Sequence, residues 1–105
     1  MMSEQLLELV ANRFKLLSEP TRLHILQLLM DGERTVGELV EAMGANQANI
    51  SHQLNLLAGS GLVARRRSGT NMLYHIGDPT VAALSDLVCR SLQAREEADL
   101  DLLKS

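Results

Sequence analysis

Apolar residues recur at helical spacing through most of the chain, switch to alternation over residues 62–76, and return to helical spacing afterwards. Residues 4–17 set Leu6, Leu9 or Val10, Arg13 or Phe14, and Leu17 along one side of a first helix, which has more apolar residues than one face needs. Part of it is expected to meet a partner chain. Ser18-Glu19-Pro20 interrupts this helix, and Pro20 suits the start of the next, where its missing amide would be unpaired anyway. The second helix, about 21–30, is expected to bury Leu23, Leu26, Leu29 and Met30 before Asp31-Gly32 stops it. Thr35-Val36-Gly37-Glu38 is a capping box in which hydroxyl and carboxylate each satisfy a backbone amide. It predicts a third helix of two to three turns, with Val36, Leu39, Val40 and Met43 inward and Gly44 at its end.

The stretch NQANISHQLNLLAGSG, residues 46–61, predicts a fourth helix over about 46–58, capped by Asn46 and ended by Gly59 with Gly61. Ile50, Leu54 and Leu57 fall on one side. Ala48, Ser51, His52 and Asn55 fall on the other, with Asn49 at the margin. A solvated face would ordinarily carry Glu and Lys; this one is small, polar and uncharged. Such groups suit base edges: amides can bond bidentately to adenine, Ser and His to several acceptors, and Ala can meet a thymine methyl. A short helix, a turn containing Gly and a second helix with a polar outer face form a helix-turn-helix.

The alternating stretch reads as two strands, 62–67 and 72–76, joined by Ser68-Gly69-Thr70-Asn71, so that a hairpin wing with a basic arm follows the reading helix. Asp78 as N-cap and Pro79 as first residue then open a last helix, which runs to Arg95 or beyond. Its stripe of Val81, Leu84, Leu87, Val88 and Leu92 has no later element in the chain to cover it. With the first helix it forms the expected dimer surface, and a twofold dimer would present two reading helices to a palindromic site. The fold class is therefore mainly α with a small β-hairpin, a winged helix-turn-helix over residues 1–95. The dimerisation helices lie at about 4–17 and 79–95, and a separate acidic tail at 96–105.

Charge sharpens this picture. The net charge of −3 argues at first against a polyanion as partner, but residues 1–95 hold nine basic and nine acidic groups, so the deficit lies in the tail. Residues 46–77 contain no Asp or Glu, while Arg65, Arg66 and Arg67 stand in a row on the wing. Local potential, not the total, decides whether DNA is attracted. Base reading is accordingly expected from Asn49, Ser51, His52 and Asn55, phosphate contact near the helix start from Gln47, and phosphate or minor-groove contact from the three arginines. With one Tyr, one Phe and no Trp, the core must be aliphatic. No long apolar run predicts a membrane span, and the basic start of a secretory signal is missing, so a cytoplasmic location is expected.

The segments SEPTRLHILQLL, TVGELVEAMGANQANISHQLNLLAGSGLV and ARRRSGTNMLYHI, in the order α-α-α-α-β-β-α, resemble the ArsR/SmtB family of bacterial winged helix-turn-helix repressors over roughly residues 10–95. The resemblance implies a homodimer that binds double-stranded operator DNA and is released by an effector. In the family the reading helix commonly carries Ser-x-His-Leu, and Gln53 stands here where the His is usual. Family members that sense soft metals have a Cys-x-Cys pair where this chain has Thr35 and Gly37, which cannot bind a thiophilic metal. The family's zinc positions on the last helix correspond to Asp78, Thr80, Ser91 and Ala94, of which only Asp78 is a ligand type. Sulfide and redox sensors of the family use two cysteines, and Gln27 stands where the first would be. No cofactor or metal is therefore expected, and the effector is left unnamed.

Cys89, the single cysteine, excludes an internal disulfide. It is either a small buried residue or a redox-responsive thiol acting between two copies of the chain. His24 is expected on the outer side of the second helix and His75 outward on the wing; a metal site from His24, His75 and Asp78 across two chains has no spacing signature behind it. An enzyme is not expected, because Ser51 and His52 are adjacent on a helix, do not face each other, and have no carboxylate nearby. The alternative to a DNA-binding repressor is a protein-interaction module built on the same helices, which the acid-free stretch disfavours.

Overall fold

Each of the five helices begins where the sequence supplies a side-chain oxygen for its first free amides. The computed structural model describes residues 3–104, in the order α1 (Glu4–Leu16), α2 (Pro20–Met30), α3 (Val36–Met43), α4 (Gln47–Gly59), β1 (Val63–Ser68), β2 (Asn71–Ile76) and α5 (Pro79–Lys104). Met1 and Met2 of the expected domain and Ser105 of the expected tail lie outside the described residues. Ser3 caps α1, Glu19 caps α2 with Pro20 in its first turn, and Asn46 caps α4. The expected capping box of α3 is present in both directions, Glu38 N donating to Thr35 Oγ1 at 3.1 Å and Thr35 N to Glu38 Oε1 at 2.9 Å. Asp78 Oδ1 accepts from Thr80 N at 3.0 Å and so opens α5.

The core is aliphatic apart from Tyr74 and lies where α2, α3, α4 and the hairpin converge. Leu39, Ile50, Leu54 and Leu57 are completely buried, as their spacing predicts. In α2 the expected inward set changes: Ile25 joins Leu26 and Leu29 inside, Leu23 is half-buried and Met30 is exposed. The reason is that α2 is surrounded by α3, α4, α5 and β2, so its buried residues do not follow one stripe. Gly59 is still helical; Ser60 is the cap, and the left-handed residue that turns the chain out of α4 is Gly61, at φ +85°.

The wing turns on two residues, Gly69 and Thr70, because Ser68 and Asn71 pair as the last rung of an antiparallel ladder running from Val63 opposite Ile76. Beyond the hairpin, Arg34 exchanges both backbone hydrogen bonds with Tyr74, at 3.1 and 2.8 Å, so the connection between α2 and α3 pairs with the free edge of β2. The root of the wing is equally tight. Gly77 N donates to Leu62 O at 2.9 Å, and a Cβ at Gly77 would lie 2.6 Å from the Gly61 carbonyl oxygen, a backbone contact that admits only glycine.

α5 has no break at residue 95; it continues through the acidic segment to Lys104, since residues 96–104 contain neither Pro nor Gly. Among the described residues no helix is long and apolar enough to cross a membrane. The radius of gyration is 16.3 Å, against about 13 Å for a compact chain of this length. The difference reflects two helices that find little cover within one chain. α1 has no buried residue and exposes Leu6, Leu9 and Phe14, while α5 exposes Leu87, Val88 and Leu92.

Replacing the completely buried Leu54 by Ala leaves a cavity in the core and is expected to cost about 2–5 kcal/mol. Chemical denaturation checks this as a lower midpoint at an unchanged slope.

Candidate nucleic-acid interface

Burial of Ile50, Leu54 and Leu57 fixes the roll of α4 about its axis. The opposite side then presents Gln47, Ala48, Asn49, His52 and Asn55 to solvent, with Ser51 half-buried. Gln53 does not join this exposed set. Gln53 is half-buried, and its Oε1 accepts from Arg22 Nη1 at 2.9 Å, while its Nε2 donates to Asn49 Oδ1 at 3.4 Å. Arg22 is itself held by donation from Nε to the Leu16 carbonyl at 2.7 Å. Asn49, marginal by helical spacing alone, is thus exposed and oriented from behind. Sequence reasoning did not find Arg22, which is 31 positions from its partner and carries no local signal.

The arginine row does not act as one unit, because alternate strand residues face opposite sides of a sheet. By the ladder register, Arg65 and Arg67 share a face with their partners Tyr74 and Met72, and Arg66 shares the other with Leu73. Arg66 is engaged within the chain. Its Nε and Nη2 donate to the two carboxylate oxygens of Glu33 at 2.7 and 3.0 Å. Glu33 lies outside the acid-free stretch, which is why charge patterning along the sequence did not reveal the pair. Arg65 and Arg67 are exposed without such a partner among the described hydrogen bonds and ion pairs. A groove of about 550 Å³ between α4 and the wing is lined by Asn55, Ala58 and Arg65 among others, so α4 and the wing form one surface.

His75 does not simply point outward. It is half-buried on the Arg66 side of the hairpin, with Nδ1 shielded from solvent 4.0 Å from Glu33 Oε2. The side-chain hydrogen bond from Arg66 outweighs the desolvation penalty and, with the Coulombic contributions of Arg66 and His75, holds the Glu33 carboxyl below the usual carboxylate range. His24 is exposed, beside Asp86 and Arg90 of α5, and Asp78 is occupied as a cap. Among the described residues no three His, Cys, Asp or Glu side chains are grouped to hold a metal ion. Cys89 is half-buried and accepts a hydrogen bond at Sγ from Gln27 Nε2 at 3.6 Å. Both line an open apolar cavity of about 440 Å³ between α1, α2 and α5, with Phe14, Leu23, Leu84 and Leu92.

Residues 19–65 match the model of the arsR family of bacterial regulatory proteins. An uncharacterised HTH-type transcriptional regulator of Mycobacterium tuberculosis, Rv0081, is 43% identical over 94% of the chain and 87% of its own length. A probable mercury resistance operon repressor of Streptomyces lividans is 43% identical over 87% of the chain and 72% of its own length. Among solved structures, the homodimeric winged helix-turn-helix DNA-binding domain of Mb0332 from Mycobacterium bovis is 38% identical. It superposes with a TM-score of 0.80 over 92% of this chain and 93% of that one.

Because its partner depresses the Glu33 carboxyl, the wing anchor is fully formed above the ordinary carboxylate value and is lost as pH falls through the depressed one. ¹⁵N relaxation over residues 65–75 is expected to show a rigid wing at neutral pH and a more mobile one only in acid, whereas Glu33→Gln should be mobile throughout.

Proposed function

The chain belongs to the arsR family of bacterial regulatory proteins, and on that premise we propose that it is a homodimeric, sequence-specific DNA-binding repressor. The observation that carries this reading is the exposed, acid-free side of α4 adjoining a wing with Arg65 and Arg67 free. α4 enters the major groove, where Asn49, Ser51, His52 and Asn55 meet base edges and Gln47 approaches phosphate at the helix start. Arg65 and Arg67 contact phosphates or the adjacent minor groove, and Arg66 anchors the wing through Glu33.

Dimerisation is supported by surface area. The chain exposes 7356 Å², about 1,500 Å² more than the roughly 5,800 Å² of a folded monomer of this mass. α1 and α5 contribute apolar side chains to that exposed surface, Leu6, Leu9, Phe14, Leu87, Val88 and Leu92 among them, which suits an interface between two copies. A twofold axis through these helices pairs two reading helices and so favours a palindromic operator. Family membership in a class of regulators also bears out that the chain is not an enzyme.

A second observation bears on release. Gln27 and Cys89 meet at the cavity between α1, α2 and α5, on the side of the proposed dimer interface. Oxidation of the Cys89 thiol by a peroxide to a sulfenic acid, the peroxide being reduced with release of water, would alter how the two copies pack and make the repressor redox-responsive. Oxidant is then expected to weaken DNA binding by the wild type and not by Cys89→Ser; equal weakening in both would remove this reading.

The main test is fluorescence anisotropy with DNA from the region upstream of the protein's own gene, under reductant and at several salt concentrations. Each phosphate contact adds about 0.9 to the slope of log K against log salt. Arg65→Ala with Arg67→Ala is expected to flatten that slope by roughly three to four in the dimer, and Arg66→Ala by clearly less. His52→Ala should change sequence preference rather than salt dependence. Loss of all specific binding in the wild type would favour the protein-interaction module.

A further inference from the structure

Arg22, Gln53 and Asn49 form a chain of side chains that runs from behind α4 to its exposed side, and its polarity is set at the buried end. A guanidinium can only donate hydrogen bonds. Since Arg22 donates to Gln53, the group it meets must be the amide oxygen, as is found at 2.9 Å. The amide nitrogen of Gln53 therefore faces the other way, one helical turn back toward Asn49 at spacing i, i−4. That nitrogen donates, so Asn49 must turn its own oxygen inward, as is found at 3.4 Å. We propose that Arg22 and Gln53 act as positioning residues that fix the Asn49 amide, leaving its Nδ2 group as the one offered to a base edge. The proposal rests on α4 being the reading helix.

The chemistry then selects a class of base. In the major groove, guanine O6 and thymine O4 are acceptors, whereas cytosine N4 and adenine N6 are donors. An asparagine free to rotate could serve either class. One held with its nitrogen outward can donate to guanine O6 or thymine O4, but with its oxygen turned inward it cannot also accept from adenine N6 or cytosine N4. The purine N7 acceptor alone does not restore the bidentate contact to adenine, so a keto base, guanine or thymine, is favoured at the position it contacts. Gln53 thereby bears on base reading without itself reaching the DNA: its contribution passes through Asn49.

The relay can be reversed by one atom. In Gln53→Glu the carboxylate still accepts from Arg22, but its second oxygen also accepts, so Asn49 must turn its nitrogen inward and its oxygen outward. The full-length wild type, Asn49→Ala, Gln53→Glu, Gln53→Met and Arg22→Lys would each be selected against a pool of randomised duplex DNA. The position at which Asn49→Ala loses discrimination is then tested with all four base pairs.

The wild type is expected to favour a keto base there by about fivefold or more. Gln53→Glu should shift the preference to an amino base at that position alone, Gln53→Met should flatten it, and Arg22→Lys, which also only donates, should keep it. Reading preference rather than affinity separates the relay from a general effect of the added charge. A Gln53→Glu protein that selects the wild-type base, while Asn49→Ala abolishes discrimination, would overturn the relay and leave the reading helix intact. A wild type that selects no sequence would instead overturn the reading of α4, and the relay with it.

Discussion

The burial of Ile50, Leu54 and Leu57 is the constraint on which the interface depends. Three fully enclosed aliphatic side chains at helical spacing leave α4 one rotational setting, and every residue on its outer side inherits its direction from them. The anchor is generic in chemistry and specific in geometry. Any well-packed aliphatic set would hold a helix here, yet a shift of one residue would carry Asn49 and His52 away from the exposed side and turn Leu54 toward water. Polar groups meant for a ligand can therefore be small and uncharged, because nothing is asked of them in holding the fold.

Periodicity and capping made most of the architecture legible. The capping box at Thr35, the Asp78-Pro79 start of α5 and the buried side of α4 are local signals read within four residues, and the structure keeps each of them. What spacing missed involves partners far apart in the chain. Met30 is outside and Ile25 inside because α2 is enclosed by four other elements, a property of the assembled fold rather than of one helical stripe. The end of α5 was hidden for a different reason: an acidic segment reads as a tail, although Glu, Ala and Leu are strong helix formers and nothing in residues 96–104 interrupts the ladder.

The candidate interface was half legible in the same sense. Which residues α4 exposes follows from its sequence, but the engagement of Arg66 by Glu33, and of Gln53 by Arg22, spans more than thirty positions in each case. Counting charges along the chain located a basic arm and overstated how much of it is free. A row of three arginines on a strand is two groups on opposite sides, and the fold uses one side to hold the wing and leaves the other open.

The contacts at the root of the wing have a mechanical consequence. Gly77 lies against the Gly61 carbonyl and is hydrogen-bonded to Leu62, while Tyr74 is paired with Arg34 on the far edge. Between the end of α4 and the start of α5 there is accordingly no slack that could serve as a hinge. A rotation imposed on α5 would be delivered to the head as a whole, as by a rigid crank about 39 Å long. A tilt of a few degrees where two such cranks meet would become a change of several ångströms in the separation of the heads.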